Sequence, residues 1–243
     1  MTFNWNAVIK YFPDLLVASI TTIELVVVAC LLGLLFGVLV GLARLSKNPI
    51  LAMPAFLYSF FFRGTPLLVQ IFLIYYGLGQ FEAVKNSFLW EPVLAKPYWC
   101  AIIAFSMNTT AYISEIVRGA VLAIPKGELE AAEAIGMSKT LKFRRIILPR
   151  AFGIMVPAYS NEVIFMIKGS ALASTIAIMD LMGRTRSIIA ETYLNFELYV
   201  AAGIIYLALS FIFMGIARVF ERFINRYKYF KLEKKEKFMK VPL

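Results

Sequence analysis

Histidine is absent from all 243 residues. That excludes Ser-His-Asp hydrolysis, histidine-ligated metal centres and histidine general-base chemistry together. There are two cysteines, Cys30 and Cys100, far apart and within apolar stretches. Neither a C-x-x-C redox pair nor a disulfide framework fits that placement, so both read as small core residues. Charge is scarce as well. Asp, Glu, Lys and Arg make up 16% of the chain, against about a quarter in a soluble domain. The phosphate-cradling pattern G-x-x-x-x-G-K-[ST] does not occur, so ATP hydrolysis is not expected of this chain.

What is present is mostly apolar: 60% of the residues are hydrophobic. Leu25–Ala43, Pro97–Ser114 and Leu198–Ala217 carry no charge at all. Asn48–Phe81 holds Arg63, and Ala151–Met179 holds Glu162 and Lys168. A membrane-crossing helix needs roughly 20 apolar residues, so the sequence predicts five spans. The first is expected to begin earlier, near Pro13, and to run long. The N-terminus lacks a basic n-region and its apolar run exceeds a signal h-region, so no cleavable signal is expected.

The net charge of +10 raises the question of nucleic acid, and the placement of the charges answers it. Arg44, Lys47, Arg118, Lys126, Lys139, Lys142, Arg144, Arg145 and Arg150 follow spans one and three, and nine more lie between Arg218 and Lys240. By the positive-inside rule these segments face the cytoplasm and the N-terminus faces out. The basic stretch Arg226 to Lys240 then reads as an anchor on anionic lipid rather than a nucleic-acid site. Gly33, Gly37 and Gly41 recur every four residues and allow another helix to approach closely. Packing within one bundle and a dimer seam both satisfy that spacing.

Between Arg118 and Arg150 lie too many residues for a simple turn. Pro125-Lys126-Gly127-Glu128 has the proline and acid that suit a first helical turn. Glu128 to Ile135 reads as a short Ala-rich helix, with Gly136 as its left-handed terminator. Ser138 can cap a second helix running through Leu148, which Pro149 is expected to end. The predicted result is a two-helix knuckle at the membrane surface.

These same residues carry a family motif. Glu130-Ala131-Ala132, three residues, Gly136, nine residues, then Ile146-x-Leu148-Pro149 resembles the EAA loop of ABC importer permeases without a departure. In that family the loop docks into the ATPase subunit, which implies an ATPase-coupling role for Glu130, Ala131, Ala132, Gly136, Ile146, Leu148 and Pro149. Phe62-Arg63-Gly64-Thr65-Pro66-Leu67-Leu68-Val69-Gln70 resembles a segment of the polar amino acid branch, related to the histidine and arginine importers. Asn108-Thr109-Thr110-Ala111-Tyr112 with Glu115-Ile116, and Pro157 to Ile164, are similar to that branch's third and fourth spans. The likeness runs from about Ser19 to Ala217.

Depth can be read without the family. Glu162 and Asn108 each lie about 16 Å into their spans by the helical rise, near the centre of a core of roughly 30 Å. Arg63 lies about 22 Å from the start of its span, toward the outside. Charges at such depth are costly and should face a cavity or one another. Either Arg63 and Glu162 pair to hold two spans together, or they face a substrate cavity. In the second case Glu162 neutralises a cationic group, and Arg63 or nearby backbone takes a carboxylate. Gly64-Thr65-Pro66 cannot be clean helix, and unwound backbone at membrane depth is tolerated where it lines a cavity. Asn108, Tyr112 and Glu115 fall on one helical face, suiting either a pathway wall or interhelical hydrogen bonding. Lys168-Gly169-Ser170 extends the polar character of span four, and Glu24 and Lys168 receive no role.

The expected protein is all-α and polytopic, with five transmembrane helices of the ABC type-1 importer permease kind and a cytoplasmic EAA coupling loop. Its expected divisions are an extracytoplasmic segment 1–18, a transmembrane domain 19–217 with the loop at about 125–149, and a basic tail 218–243. The expected substrate-binding residues are Glu162, Asn161, Arg63, Thr65, Asn108, Tyr112 and Glu115, with no catalytic or metal-binding residue and no cofactor of its own. The acidic Asn161-Glu162 pair favours arginine, histidine, lysine or ornithine, with glutamine or glutamate as the alternative. The resemblance implies a bacterial cytoplasmic (inner) membrane location. It also implies two ATPase subunits, a second permease chain forming a homo- or heterodimer, and an extracytoplasmic binding protein. A self-contained secondary transporter is disfavoured by the absence of an internal inverted repeat.

Overall fold

The computed structural model of the protein describes residues 4–224; the basic stretch Arg226 to Lys240 lies outside them. Helix α1 (Trp5–Arg44) is 40 residues long, roughly 60 Å by the helical rise, or twice a hydrocarbon core. The Asn4 side chain caps it by accepting the Ala7 N–H at 3.1 Å. Residues 5–18 are therefore a continuation of the first helix, which starts well before Pro13. A short link leads to α2 (Pro49–Gly64), capped by the Asn48 side chain, which accepts the Ile50 N–H at 3.0 Å.

At Gly64-Thr65-Pro66 the chain swings by 107° into α3 (Leu67–Phe72), which continues through a widened turn to Gln80. A short α4 (Glu82–Lys85) precedes α5 (Pro97–Leu122), the most enclosed of the long helices. Then come α6 (Lys126–Ala134), α7 (Lys139–Lys142) and α8 (Leu148–Gly169). After a tight stretch, Ser170–Ile176, the path bends by 49° at residues 177–180 into α9 (Leu181–Thr192), and α10 (Asn195–Ile224) completes the bundle. Among the described residues there is no strand. Helices α1, α5 and α10 are each long and apolar enough to cross a membrane, and counting each bent pair as one span gives five.

The bundle is built on the α1–α5 contact. A Cβ added at Gly33 would lie 2.6 Å from Thr109, at Gly37 2.6 Å from Ile113, and at Gly41 2.7 Å from Val117. No side chain fits there. The glycine seam is thus packing within one chain, which decides between the two readings of its spacing. Around it a core of Leu25, Val26, Cys30, Phe105, Val163 and Met166 joins α1, α5 and α8. A second cluster, Leu15, Leu181, Ile188, Leu198 and Ala202, packs the start of α1 against α9 and α10.

One expectation fails at Pro149. Helix α7 does not stop there but passes through a widened turn, Phe143–Ile147, directly into α8. Leu148 N–H reaches back five residues to the Phe143 carbonyl. The wide turn lies just ahead of the proline, which has no N–H to donate and whose ring needs room. Proline is tolerated because it falls in the first turn of α8.

Candidate functional site

The break between α2 and α3 is held by one buried amide. Gln70 is 2% exposed, and its Nε2 donates to the Phe62 carbonyl at 2.8 Å, the Thr65 carbonyl at 3.1 Å and Thr65 Oγ1 at 2.8 Å. These are the carbonyls that Pro66 and the bend leave without helical donors. Gln70 Oε1 in turn accepts from Asn108 Nδ2 at 3.0 Å, which ties the bend to the middle of α5. Gln70 closes the Phe62–Gln70 segment, yet its role was not legible there. A bond across a chain break follows no helical period.

Beside this knot lies a cavity of about 270 Å³, lined by Leu67, Asn108, Tyr112, Glu162, Phe165 and Met166. It sits just under the usual range of about 300–1,000 Å³ for small-molecule sites. Glu162 is 9% exposed and accepts no hydrogen bond and forms no ion pair among the described residues. A buried charge without a hydrogen-bond or ion-pair partner is costly.

Arg63 does not pair with Glu162. Its Nη1 lies 3.6 Å from Glu115 Oε2, and its guanidinium sits 5.5 Å from the centre of the Tyr112 ring. Long side chains reach along the helices here. Arg63, near the C-terminal end of α2, meets a carboxylate in the C-terminal half of α5. Glu115 also binds Arg44 and Arg118, so three guanidinium groups surround one carboxylate. Arg44 additionally donates to Ser59 Oγ at 3.1 Å, and Ser59 lies 3.0 Å from Ser114 Oγ.

The seven expected binding residues are therefore divided. Glu162, Asn108 and Tyr112 share the cavity, and Arg63 borders it through Tyr112. Asn161 is exposed on a neighbouring face of α8. Thr65 donates its hydroxyl to the Phe61 carbonyl at 2.9 Å and belongs to the bend. Glu115 is the hub of the arginine cluster and does not line the cavity. Glu24 and Lys168 are exposed. Sequence reasoning also missed Asp180. It is fully buried, caps α9 by accepting the Gly183 N–H at 2.9 Å, and accepts from Tyr206 at 3.4 Å.

The two-helix knuckle forms as its residues require. Gly136 has φ +75°, and two bonds close the end of α6: Gly136 N–H to the Glu133 carbonyl at 2.9 Å, and Met137 N–H to the Ala132 carbonyl at 3.0 Å. That pairing is the Schellman motif. Ser138 Oγ accepts the Leu141 N–H at 3.3 Å and starts α7. Lys142 pairs with Glu133 across the knuckle, and this hydrogen bond holds the Glu133 carboxyl below its ordinary range. Arg150 Nε donates to Glu128 at 2.9 Å, fastening the knuckle to the base of α8. Ala132 is buried and Ile146 half-buried, whereas Glu130, Ala131, Gly136, Leu148 and Pro149 are exposed. Exposed Ile135, Leu141 and Phe143 add apolar surface.

Residues 33–226 match the family of binding-protein-dependent transport system inner membrane components. The chain belongs to that family. It is a multi-pass membrane permease with the fold of ABC type-1 importers. The octopine transport system permease protein OccM of Rhizobium radiobacter is 47% identical over 218 residues, spanning 90% of this chain and 86% of the relative. The histidine/lysine/arginine/ornithine transport system permease protein HisM of Salmonella typhimurium is 38% identical over 201 residues, 83% of this chain and 86% of the relative. In the crystal structure of an amino acid ABC transporter with histidines, one chain superposes with a TM-score of 0.82 at 33% identity, covering 91% of this chain and 99% of that one.

Proposed function

We propose that this permease passes an amino-acid-like solute bearing a cationic group, with Glu162 receiving the cation and Arg63 the carboxylate. The observation that carries the reading is the buried Glu162 carboxylate, unpartnered and facing a cavity of about 270 Å³. The Arg63 guanidinium, 5.5 Å from the centre of the ring of the cavity-lining Tyr112, supports an opposite charge close by. Relatives named for octopine and for histidine, lysine, arginine and ornithine support a solute of this kind. Asn108 and the Gln70 knot hold the cavity wall in register, while Phe165, Met166 and Leu67 give the solute's apolar stem a surface.

Function requires partners of defined kinds. Two ATPase subunits dock on the knuckle around Gly136, a second permease chain completes the pathway, and a binding protein delivers solute from outside. The N-terminus faces out and the knuckle faces the cytoplasm, in keeping with the basic residues on that side.

Uptake by the reconstituted complex, measured over a panel of amino acids, tests the substrate reading. Glu162→Gln should lower uptake of arginine, lysine or ornithine about 10- to 100-fold, the effect of one charge-assisted contact worth about 1.5–3 kcal/mol. Neutral amino acids should be little changed. Equal loss for both classes would sink the cationic assignment and leave family membership standing.

A further inference from the structure

The arginine cluster has more positive charge than its one carboxylate can balance. Arg44, Arg63 and Arg118 converge on Glu115, a surplus of two positive charges at the edge of an apolar bundle. Arg63 sits beside Tyr112, which lines the proposed solute cavity. Arg44 and Arg118 instead line a separate cavity of about 500 Å³, whose other walls are Pro49, Ala52, Met53 and Phe56. The Phe56 ring lies 5.7 Å from the Arg44 guanidinium.

Its level in the membrane follows from the helix ends. Arg44 is the last residue of α1, Pro49 is the first of α2, and Arg118 is one turn before the end of α5 at Leu122. Residues so placed lie where hydrocarbon meets headgroups. From the cavity, exposed Ile50, Met53, Leu57 and Phe60 form an apolar stripe along α2 into the hydrocarbon region. A guanidinium pair at headgroup level above an apolar stripe matches a molecule with an anionic phosphate and long acyl chains. A soluble phosphate would meet the arginines and leave the stripe uncovered.

We infer that the cavity bounded by Arg44, Arg118, Ala52 and Phe56 is a binding site for an anionic phospholipid. The phosphate accepts from Arg118 and Arg44, balancing the cluster, and one acyl chain lies along α2. Partly buried guanidinium groups bind phosphate in charge-assisted contacts that screening weakens little. The site is separate from the solute cavity and does not depend on which solute is carried. The proposed orientation decides only that the lipid belongs to the cytoplasmic leaflet.

The test uses the complete transporter complex, exchanged into mixtures of phosphatidylglycerol and phosphatidylcholine, with retained lipids counted by native mass spectrometry. Wild type should retain phosphatidylglycerol in preference to phosphatidylcholine. Arg118→Gln should weaken that retention about tenfold or more. Ala52→Trp, which fills the cavity and keeps every arginine, should do the same. Millimolar inorganic phosphate or glycerol 3-phosphate should not displace the lipid. Unchanged phosphatidylglycerol retention in both variants would overturn the site. So would displacement by inorganic phosphate, which would make it a free-anion site. Loss of partner subunits from Arg118→Gln with lipid still retained would make this face a protein interface instead.

Discussion

Gln70 Oε1 accepts a hydrogen bond from Asn108 Nδ2 at 3.0 Å, across the gap between a broken helix and an intact one. The same amide satisfies two carbonyls and a hydroxyl of the break. Gln70→Met keeps the volume and removes every one of these bonds. Buried groups left without partners cost about 1–3 kcal/mol each, so the variant complex should melt several degrees lower in a thermal scan. Solute uptake should fall with it, because Asn108 loses its fixed position on the cavity wall. A Gln70→Met complex with unchanged melting temperature and uptake would show that the bend holds without the knot.

The glycine seam gives a stricter steric test. Gly37→Ala places a methyl 2.6 Å from Ile113, where Gly215 has open space around it. Overpacking of this sort costs about 1–3 kcal/mol. Gly37→Ala should lower thermal stability, whereas Gly215→Ala should leave it unchanged or slightly raised. Ile113 is fully buried, so Ile113→Gly is itself destabilising, but in that background Gly37→Ala should cost less than it does in the wild type. Equal effects of the two glycine substitutions would argue that α1 and α5 are not this close.

Some of this was legible in the residues, for reasons that differ by element. The five apolar runs announce themselves because lipid excludes charge, and the 107° bend was foreshadowed by Gly64-Thr65-Pro66. The knuckle was readable because its caps are local: Gly136 and Ser138 act within a few residues of themselves. Helix depth alone left the contact of Arg63 open. A side chain that long reaches well past its own Cα, so its partner, Glu115, could not be told from Glu162 by counting residues. Asp180 and Gln70 were missed because their partners, Tyr206 and Asn108, are distant in sequence and follow no period. The run through Pro149 was missed because a widened turn lets a helix accommodate a proline that an unbroken α-helix would not.

Gly136 separates backbone demand from packing. Its φ is +75°, and a Cβ there would meet nothing within 4 Å. A substitution is therefore opposed by conformation alone, about 1–2 kcal/mol for an ordinary L-residue and more for a β-branched one. Gly136→Val should insert normally yet lose docking of the ATPase and with it transport. Gly136→Asn, which tolerates the left-handed region, should retain most of both. The readouts are co-purification of the ATPase subunit and uptake in proteoliposomes. Wild-type transport by Gly136→Val would mean that the knuckle is not the coupling element.

The last prediction contrasts two carboxylates that look alike in the sequence. Glu115 stands among three arginines, whereas Glu162 has no hydrogen-bond or ion-pair partner among the described residues. Removing one member of a partly buried ion cluster strands the others, at about 3–5 kcal/mol for a broken buried pair. Glu115→Gln leaves Arg44, whose side chain is 10% exposed, without its counter-charge, so that complex should assemble poorly and melt far below wild type. Glu162→Gln relieves an uncompensated buried charge instead and should assemble at least as well as wild type while losing its cationic solute. Substituting Arg63→Met should not rescue Glu162→Gln, because those two residues are not each other's partner, but it should ease Glu115→Gln by removing one stranded cation. Thermal scans of the four complexes decide the matter. If Glu162→Gln proved the less stable single variant and Arg63→Met restored it, the partnership drawn from the geometry would be the wrong way round.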